Sequence, residues 1–266
     1  MSIVVYHATR STWPAFKNIL IKWFHKHYQI NLDEAEEQNL SNYESFNAFF
    51  TRRLKSSCRP IVGDETAVIS PVDGYLTQFG VAKNGTLIQA KGINYKIEEL
   101  LGETTTFNLS NQFSYATLYL SPSQYHRVHL PISGTVTRTR YIPGKRFSVN
   151  KATASSIRGL YCHNERVITW FKTNAGEMAL VLVGALNVSS ISIHWLGEII
   201  SGKPKVWDEN KNHARQYKRG EEIGKFNLGS TVILIMPSDR FTWHSGLEQG
   251  QQVKMAEMIG TVTLAT

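Results

Sequence analysis

A chain of 266 residues is long enough to bury a sizeable core, as one large domain or two small ones. Its 42% hydrophobic and 19% charged residues exclude a disordered chain, and no repeat or low-complexity tract interrupts them. The 29 Lys and Arg outnumber the 21 Asp and Glu, and the formal charge of +8 suits an anionic partner, either an acidic lipid surface or a nucleic acid.

Two cysteines, Cys58 and Cys162, stand far apart, without the spacing of a disulfide framework or a zinc site. Met1 to His7 lack the basic segment and long apolar run of a secretory signal. No apolar run reaches the ~18 residues of a membrane-spanning helix. The protein is therefore expected to lie on a membrane at most, not to cross one.

Trp13 to Tyr28 reads as an amphipathic helix. Trp13, Phe16, Ile19, Leu20, Trp23 and Phe24 recur at spacings of three and four, Ser11 or Thr12 offers a cap, and Pro14 fits the first turn. Lys17, Lys22 and Lys26 supply its polar side. A basic helix with Trp and Phe opposite has the composition of an interfacial membrane helix; docking on the protein's own core is the alternative. Leu32 to Leu40, with Asp33, Glu34, Glu36 and Glu37, reads as the start of a solvated helix. Asn42 to Leu54 places Tyr43, Phe46, Phe49 and Phe50 at helical spacing and ends in Arg52 and Arg53, which suit a helix C-terminus.

From Ala67 the pattern changes to period two. Strands are predicted over 75–82 and 86–90 around Asn84-Gly85, a strong hairpin signal. Others are predicted over 113–120 and 135–142, and over 167–172 and 178–188 around Thr173-Asn174-Ala175-Gly176. Further strands fall at 190–195, 223–226, 230–236 and 259–264, with a short helical turn at 97–101. Lys203 to Gly220 reads as a long exposed basic loop. Its Lys203, Lys205, Lys211, Arg215, Lys218 and Arg219 have only Trp207 and Tyr217 between them, too few aromatics for a nucleic-acid surface, so no nucleic-acid partner is expected. The resulting class is α+β, mostly β: an N-terminal region of amphipathic helices over 1–56, associating with membrane, then a β-rich catalytic domain over 57–266. That domain is expected to be an antiparallel sandwich or a partly closed barrel.

Three short stretches carry candidate chemistry. Phe226-Asn227-Leu228-Gly229-Ser230-Thr231 places a Gly-Ser step between two apolar runs. It reads either as a strand kink or as a nucleophile beside a strained backbone carbonyl. Ser121-Pro122 would open a short helix that Pro131 stops, bringing His126 and His129 to one face. Such a pair reads as surface histidines, as two ligands of a metal site without an obvious third, or as acid-base groups. Asp73, before Gly74, is a turn residue or a carboxylate that orients a histidine. Asp, His and Ser are the set that makes a hydroxyl nucleophilic. A hydrolase would place its Ser on a strand-to-helix elbow, often within Gly-x-Ser-x-Gly, whereas Ser230 precedes the strand-like Thr231-Val232-Ile233-Leu234. Attack on the adjacent Gly229 carbonyl is the more natural reaction, with the high effective molarity of an intramolecular step.

These stretches, with Phe46-Asn47-Ala48-Phe49-Phe50-Thr51-Arg52, Gln89-Ala90-Lys91-Gly92, Phe147-Ser148-Val149-Asn150 and Asn164-Glu165-Arg166-Val167, occur in one order. The sequence so resembles the pyruvoyl-dependent, bacterial-type phosphatidylserine decarboxylases. That resemblance implies an autoprocessed proenzyme cut between Gly229 and Ser230, with His129, oriented by Asp73, as base. Ser230 would become a pyruvoyl group that forms a Schiff base with phosphatidylserine and releases carbon dioxide to give phosphatidylethanolamine. His126 would transfer protons in that second reaction, and Phe147, Ser148 and Asn150 would border the headgroup. The resemblance implies no metal and no pyridoxal phosphate. It also implies two associated fragments, a homodimer, and a peripheral position on the cytoplasmic face of the cell membrane. The alternatives are a serine hydrolase with an Asp73/His129/Ser230 triad and a non-catalytic membrane-binding module.

Overall fold

The computed structural model describes residues 3–103, 112–186, 190–200, 202–208 and 215–264. The backbone of the fold is a long antiparallel sheet in which nine strands follow one another in space: Lys205–Asp208, Gly134–Ile142, Arg166–Thr173, Gly176–Gly184, Ser230–Pro237, Gln112–Leu120, Gly74–Lys83, Thr86–Ala90 and Ile93–Lys96. Its two ends do not pair with each other, so it forms the large layer of a sandwich and not a closed barrel. A second sheet runs Gly197–Ile199, Ile191–Ile193, Glu222–Phe226, Arg127–His129. Its Val128, Ile191, Ile193 and Phe226 share one core with Leu118, Leu182, Val232 and Leu234 of the large sheet. A third, three-stranded sheet joins Ala67–Ile69, Met258–Val262 and Phe241–Trp243.

Ser230–Pro237 lies at the centre of the large sheet, paired with Gln112–Leu120 on one side and Gly176–Gly184 on the other. Both of its faces are covered, so it is an unbroken apolar run of Val, Ile, Leu, Ile and Met without alternation. The Asn84-Gly85 hairpin forms with both residues at positive φ, +52° and +65°, the conformation that a two-residue hairpin loop favours.

Helix α1 spans Ile3–Arg10, α2 spans Pro14–Tyr28 and α3 spans Phe46–Phe50. The face that α2 buries takes in only Phe24 and part of Leu20 from its apolar stripe. Lys17, Ile21 and Phe24 point inward, and the Lys17 ammonium donates to the Ser41 and Tyr43 carbonyls at 2.9 and 2.5 Å. Trp13, Ile19 and Trp23 remain 67%, 71% and 55% exposed. Phe24 packs edge-on against Phe46, Phe49 and Phe50 of α3, and each buried ring stabilises this small cluster by about 1.5–3 kcal/mol.

Three expectations give way. Residues 32–39 form turns, with Ala35 bridged to Leu54, and no helix starts there: the Ala35 and Glu36 amides already donate to the Leu32 and Arg53 carbonyls. Residues 203–220 are not one loop, because Lys205–Asp208 and Gln216–Tyr217 both pair with Gly134–Ile142; residues 209–214 lie outside the described set. The two histidines share no helix. Residues 127–129 are drawn into a strand by pairing with Glu222–Phe226, an edge that sequence spacing does not reveal.

Candidate active site

Two connections pass between the same two sheets. One leaves the large sheet after Leu120 and enters the second at Arg127; the other leaves the second sheet at Phe226 and enters the large one at Ser230. Ser230 pairs with Leu120, and Lys225 pairs with Arg127. The segments 121–126 and 227–229 are therefore held side by side at both ends, and the Phe226 amide donates to the His126 carbonyl at 3.0 Å. Folding alone brings the histidine segment to the Gly-Ser step.

The approach to Ser230 is conformationally costly. Leu228 has φ +91° and Gly229 φ +59°. Gly tolerates that region, whereas a leucine there carries about 1–3 kcal/mol of strain. Two anchors hold it. The Leu228 side chain is buried in the helical cluster with Ile21, Phe24, Phe46 and Phe49. The Asn227 side-chain Nδ2 donates to the Ser190 and Ser192 hydroxyls at 2.8 and 3.1 Å, while its Oδ1 accepts from the Asn47 side chain at 3.1 Å. Ser230 follows at once, fully buried, and its hydroxyl has no hydrogen-bond partner. An orphaned buried hydroxyl costs free energy; the Thr231 hydroxyl is orphaned too, and it is the left-handed Leu228-Gly229 step just before it that singles out Ser230 as the candidate.

His126 is fully buried, with the Phe50 ring 4.0 Å from its own. Its Nδ1 lies 2.8 Å from the Gln124 carbonyl. A carbonyl only accepts, so Nδ1 carries the proton and Nε2 presents a bare lone pair, which has no partner. Burial pushes its pKa down to about 3, against the Gln124 bond and with help from the Arg52 charge. It is a neutral base at any ordinary pH. His129 also holds its Nδ1 proton on a carbonyl, that of Gly220 at 2.8 Å, and its Nε2 accepts from the Tyr125 hydroxyl at 3.0 Å. Burial lowers its pKa too, with the Gly220 bond and the Glu222 and Asp73 charges acting in the opposite sense.

Asp73 is near this pair but not bonded to it. Its carboxylate accepts two bonds from Arg59, at 3.0 and 2.6 Å, and one from the Met255 amide at 2.8 Å. The link to His129 is through the backbone, whose amide donates to the Pro71 carbonyl at 2.8 Å. Sequence reasoning missed Arg59, which has no signal in its surroundings, and Tyr125, four residues before His129.

The Phe147–Asn150 segment is held by local bonds. Asn150 caps the short helix Lys151–Ala154 by accepting from the Thr153 amide, and the Phe147 amide donates to the Asn164 side chain. Arg146 pairs with Glu165. A cleft of about 510 Å³ opens beside this segment, lined by Val149 and Lys151 with Tyr75, Lys91, Tyr119 and Tyr161. Tyr119 stands opposite Thr231, so this cleft lies on the sheet face that Ser230 does not share. Among the described residues no group of three His, Cys, Asp or Glu is placed to hold a metal.

A buried, unpartnered hydroxyl after a strained Leu228-Gly229 step, with the His126 segment bonded alongside, is a candidate site for acyl transfer within the chain. Comparison with known proteins gives the family. The phosphatidylserine decarboxylase family model matches residues 46–261, and a second model, described as PSD, matches residues 1–29. A phosphatidylserine decarboxylase proenzyme of Marinobacter nauticus is 41% identical over 260 residues, covering 97% of this chain and 91% of its own. Proenzymes of Pseudomonas fluorescens and Methylococcus capsulatus are 42% and 40% identical, over 92% and 98% of this chain and 87% and 92% of theirs. The chain belongs to the phosphatidylserine decarboxylase family.

Proposed function

We propose that this chain is made as a proenzyme, cuts itself between Gly229 and Ser230, and then decarboxylates phosphatidylserine to phosphatidylethanolamine. The observation that carries this is the orphaned Ser230 hydroxyl immediately after the left-handed Leu228-Gly229 step, in a chain of this family. His129 takes the Ser230 proton once Tyr125 turns away from Nε2, and the Asp73 charge favours the imidazolium through space. The Ser230 oxygen bonds to the Gly229 carbonyl carbon as the Gly229–Ser230 C–N bond breaks, and the His129 imidazolium returns its proton to the leaving nitrogen, giving an ester and a free amine. Loss of the Ser230 α-proton then expels the Gly229 carboxylate. The dehydroalanine left at residue 230 takes up water and releases ammonia, which yields the pyruvoyl terminus.

The residues present suit that group: residue 230 begins a strand buried from Ser230 to Met236, where bulk water is excluded, and Thr231 behind it is fully buried. The pyruvoyl group supplies a ketone that condenses with the substrate amine and draws off the electrons released with carbon dioxide. His126, neutral and with a free Nε2, transfers protons at the substrate α-carbon. The exposed Phe16, Ile19 and Trp23 of α2 and Trp13 just before it, with exposed Lys22 and Lys26 on the same helix, support a peripheral position on an anionic membrane, for which we take the cytoplasmic face. No helix among the described residues is long and apolar enough to cross one.

An intact-mass spectrum tests the reading. Active protein should appear as two fragments, the smaller beginning at residue 230 and without a free amine, and Ser230→Ala should stay whole and inactive. One unmodified full-length species with undiminished activity sinks the proposal.

A further inference from the structure

Arg52 is a buried cation without a counter-ion. Only 5% of its surface is exposed, and it forms no ion pair among the described residues. Its Nη2 donates to the Ser123 carbonyl at 2.9 Å, while Nε and Nη1 have no partner. The side-chain nitrogen of Gln124 is likewise buried and unpaired, although the Gln124 oxygen is engaged by the Ser121 amide at 2.7 Å. Both side chains line one cleft of about 230 Å³, together with Arg59, Asp73, Glu34 and Lys254. Arg59 is saturated by the two carboxylates, and Lys254 leans on Glu34, so the uncompensated charge in this cleft is that of Arg52. Orphaned donors on two segments that line one cleft are what a bound anion would satisfy.

The cleft adjoins the proposed chemistry. The Gln124 carbonyl holds the His126 Nδ1 proton, and Phe50, two residues before Arg52, packs on the His126 ring. Gln29, which ends α2, forms part of its rim, so the cleft opens where the outward aromatic face of that helix stops. Its volume suits a phosphoryl group and not acyl chains. We infer that Arg52 and the Gln124 amide form an oxyanion seat beside His126 that takes the phosphodiester of the lipid headgroup. This rests on the proposed decarboxylation for its substrate, but not for its existence as an anion site. Inorganic phosphate offers the same chemistry and would occupy it more weakly.

Gln124→Glu separates a binding role from a structural one. The new carboxylate keeps the bond from the Ser121 amide and adds a negative charge to the cleft that Arg52 lines, so the protein should melt at a higher temperature, while an incoming phosphodiester is repelled. The expected result is complete self-cleavage and a KM for phosphatidylserine in mixed micelles raised roughly tenfold or more. Arg52→Met should raise KM similarly, with partial recovery in Arg52→Lys. Glycerophosphoserine should raise the melting temperature of the wild-type protein, with inorganic phosphate giving a smaller shift, and neither should do so in Gln124→Glu; this readout does not depend on turnover. An unchanged KM in Gln124→Glu, or a lowered melting temperature in that variant, overturns the seat. A shift with phosphate and none with glycerophosphoserine overturns the headgroup assignment. Absence of carbon dioxide release from wild-type protein, with the melting shifts intact, would remove the proposed reaction and leave the anion site standing.

Discussion

Burying His126 as a neutral base makes the fold sensitive to acid by a calculable amount. Its folded pKa, about 3, lies below the ordinary 6.5, so between these values the unfolded chain binds a proton that the folded chain refuses. The contribution is fully present above about 6.5 and is lost progressively as pH falls toward about 3. At ~1.36 kcal/mol per pH unit, acidification from about pH 7 to about pH 4.5 removes about 2.5 kcal/mol through this residue alone. The measurement is urea unfolding of uncleaved Ser230→Ala, which keeps the molecule one chain, compared with Ser230→Ala/His126→Gln at both pH values. The second variant loses a fixed amount of stability at either pH, and other titrating groups, His129 included, cancel. Its acid-induced loss should be smaller by about 2.5 kcal/mol. Equal losses in the two proteins would mean that His126 is solvated or already protonated, and its role as a neutral base would fall with that result.

His129→Ala should block self-cleavage, whereas His126→Ala should cleave yet decarboxylate about 100-fold or more slowly, the usual contribution of a positioned acid-base group; the reverse pattern, read by gel and by released carbon dioxide, would exchange their roles. Replacing Trp13 and Trp23 together by Ala removes two largely exposed rings, of which Trp23 also stacks on His27, so the melting temperature should fall only slightly while sedimentation with anionic vesicles falls roughly tenfold or more; unchanged sedimentation would remove α2 from the membrane contact. Gly144→Ala would push a Cβ to 2.5 Å from the His163 carbonyl oxygen and 2.7 Å from the Glu165 amide, a clash with backbone on both sides. A loss of about 1–3 kcal/mol in urea unfolding is expected, and a neutral result would show that this crossing can relax.

Much of the fold is written locally. The 3.6-residue spacing in α2, the Asn84-Gly85 turn and the uninterrupted apolar run after Ser230 each decide their own conformation, because helix faces, positive-φ turns and doubly covered strands leave short-range signatures. The motif order across the chain was also legible, and with it the Gly229-Ser230 step and the two histidines as candidates. The pairing partners were not. The spacing of His126 and His129 fits one face of a helix as well as it fits a turn leading into a strand. Only the edge offered by Glu222–Phe226, some 95 residues away, decides for the strand.

The sequence by itself determined which groups are available and that they belong to a self-processing family. Tertiary structure decided their chemical states. That His126 is uncharged follows from the Phe50 ring and the burial around it. That Asp73 sits on Arg59 and not on an imidazole follows from the turn that carries Met255. That Arg52 stands without a counter-ion follows from a cleft assembled out of five separate segments. Proton affinity and charge pairing depend on distances across space and on the exclusion of water, and neither is a property of neighbours along the chain.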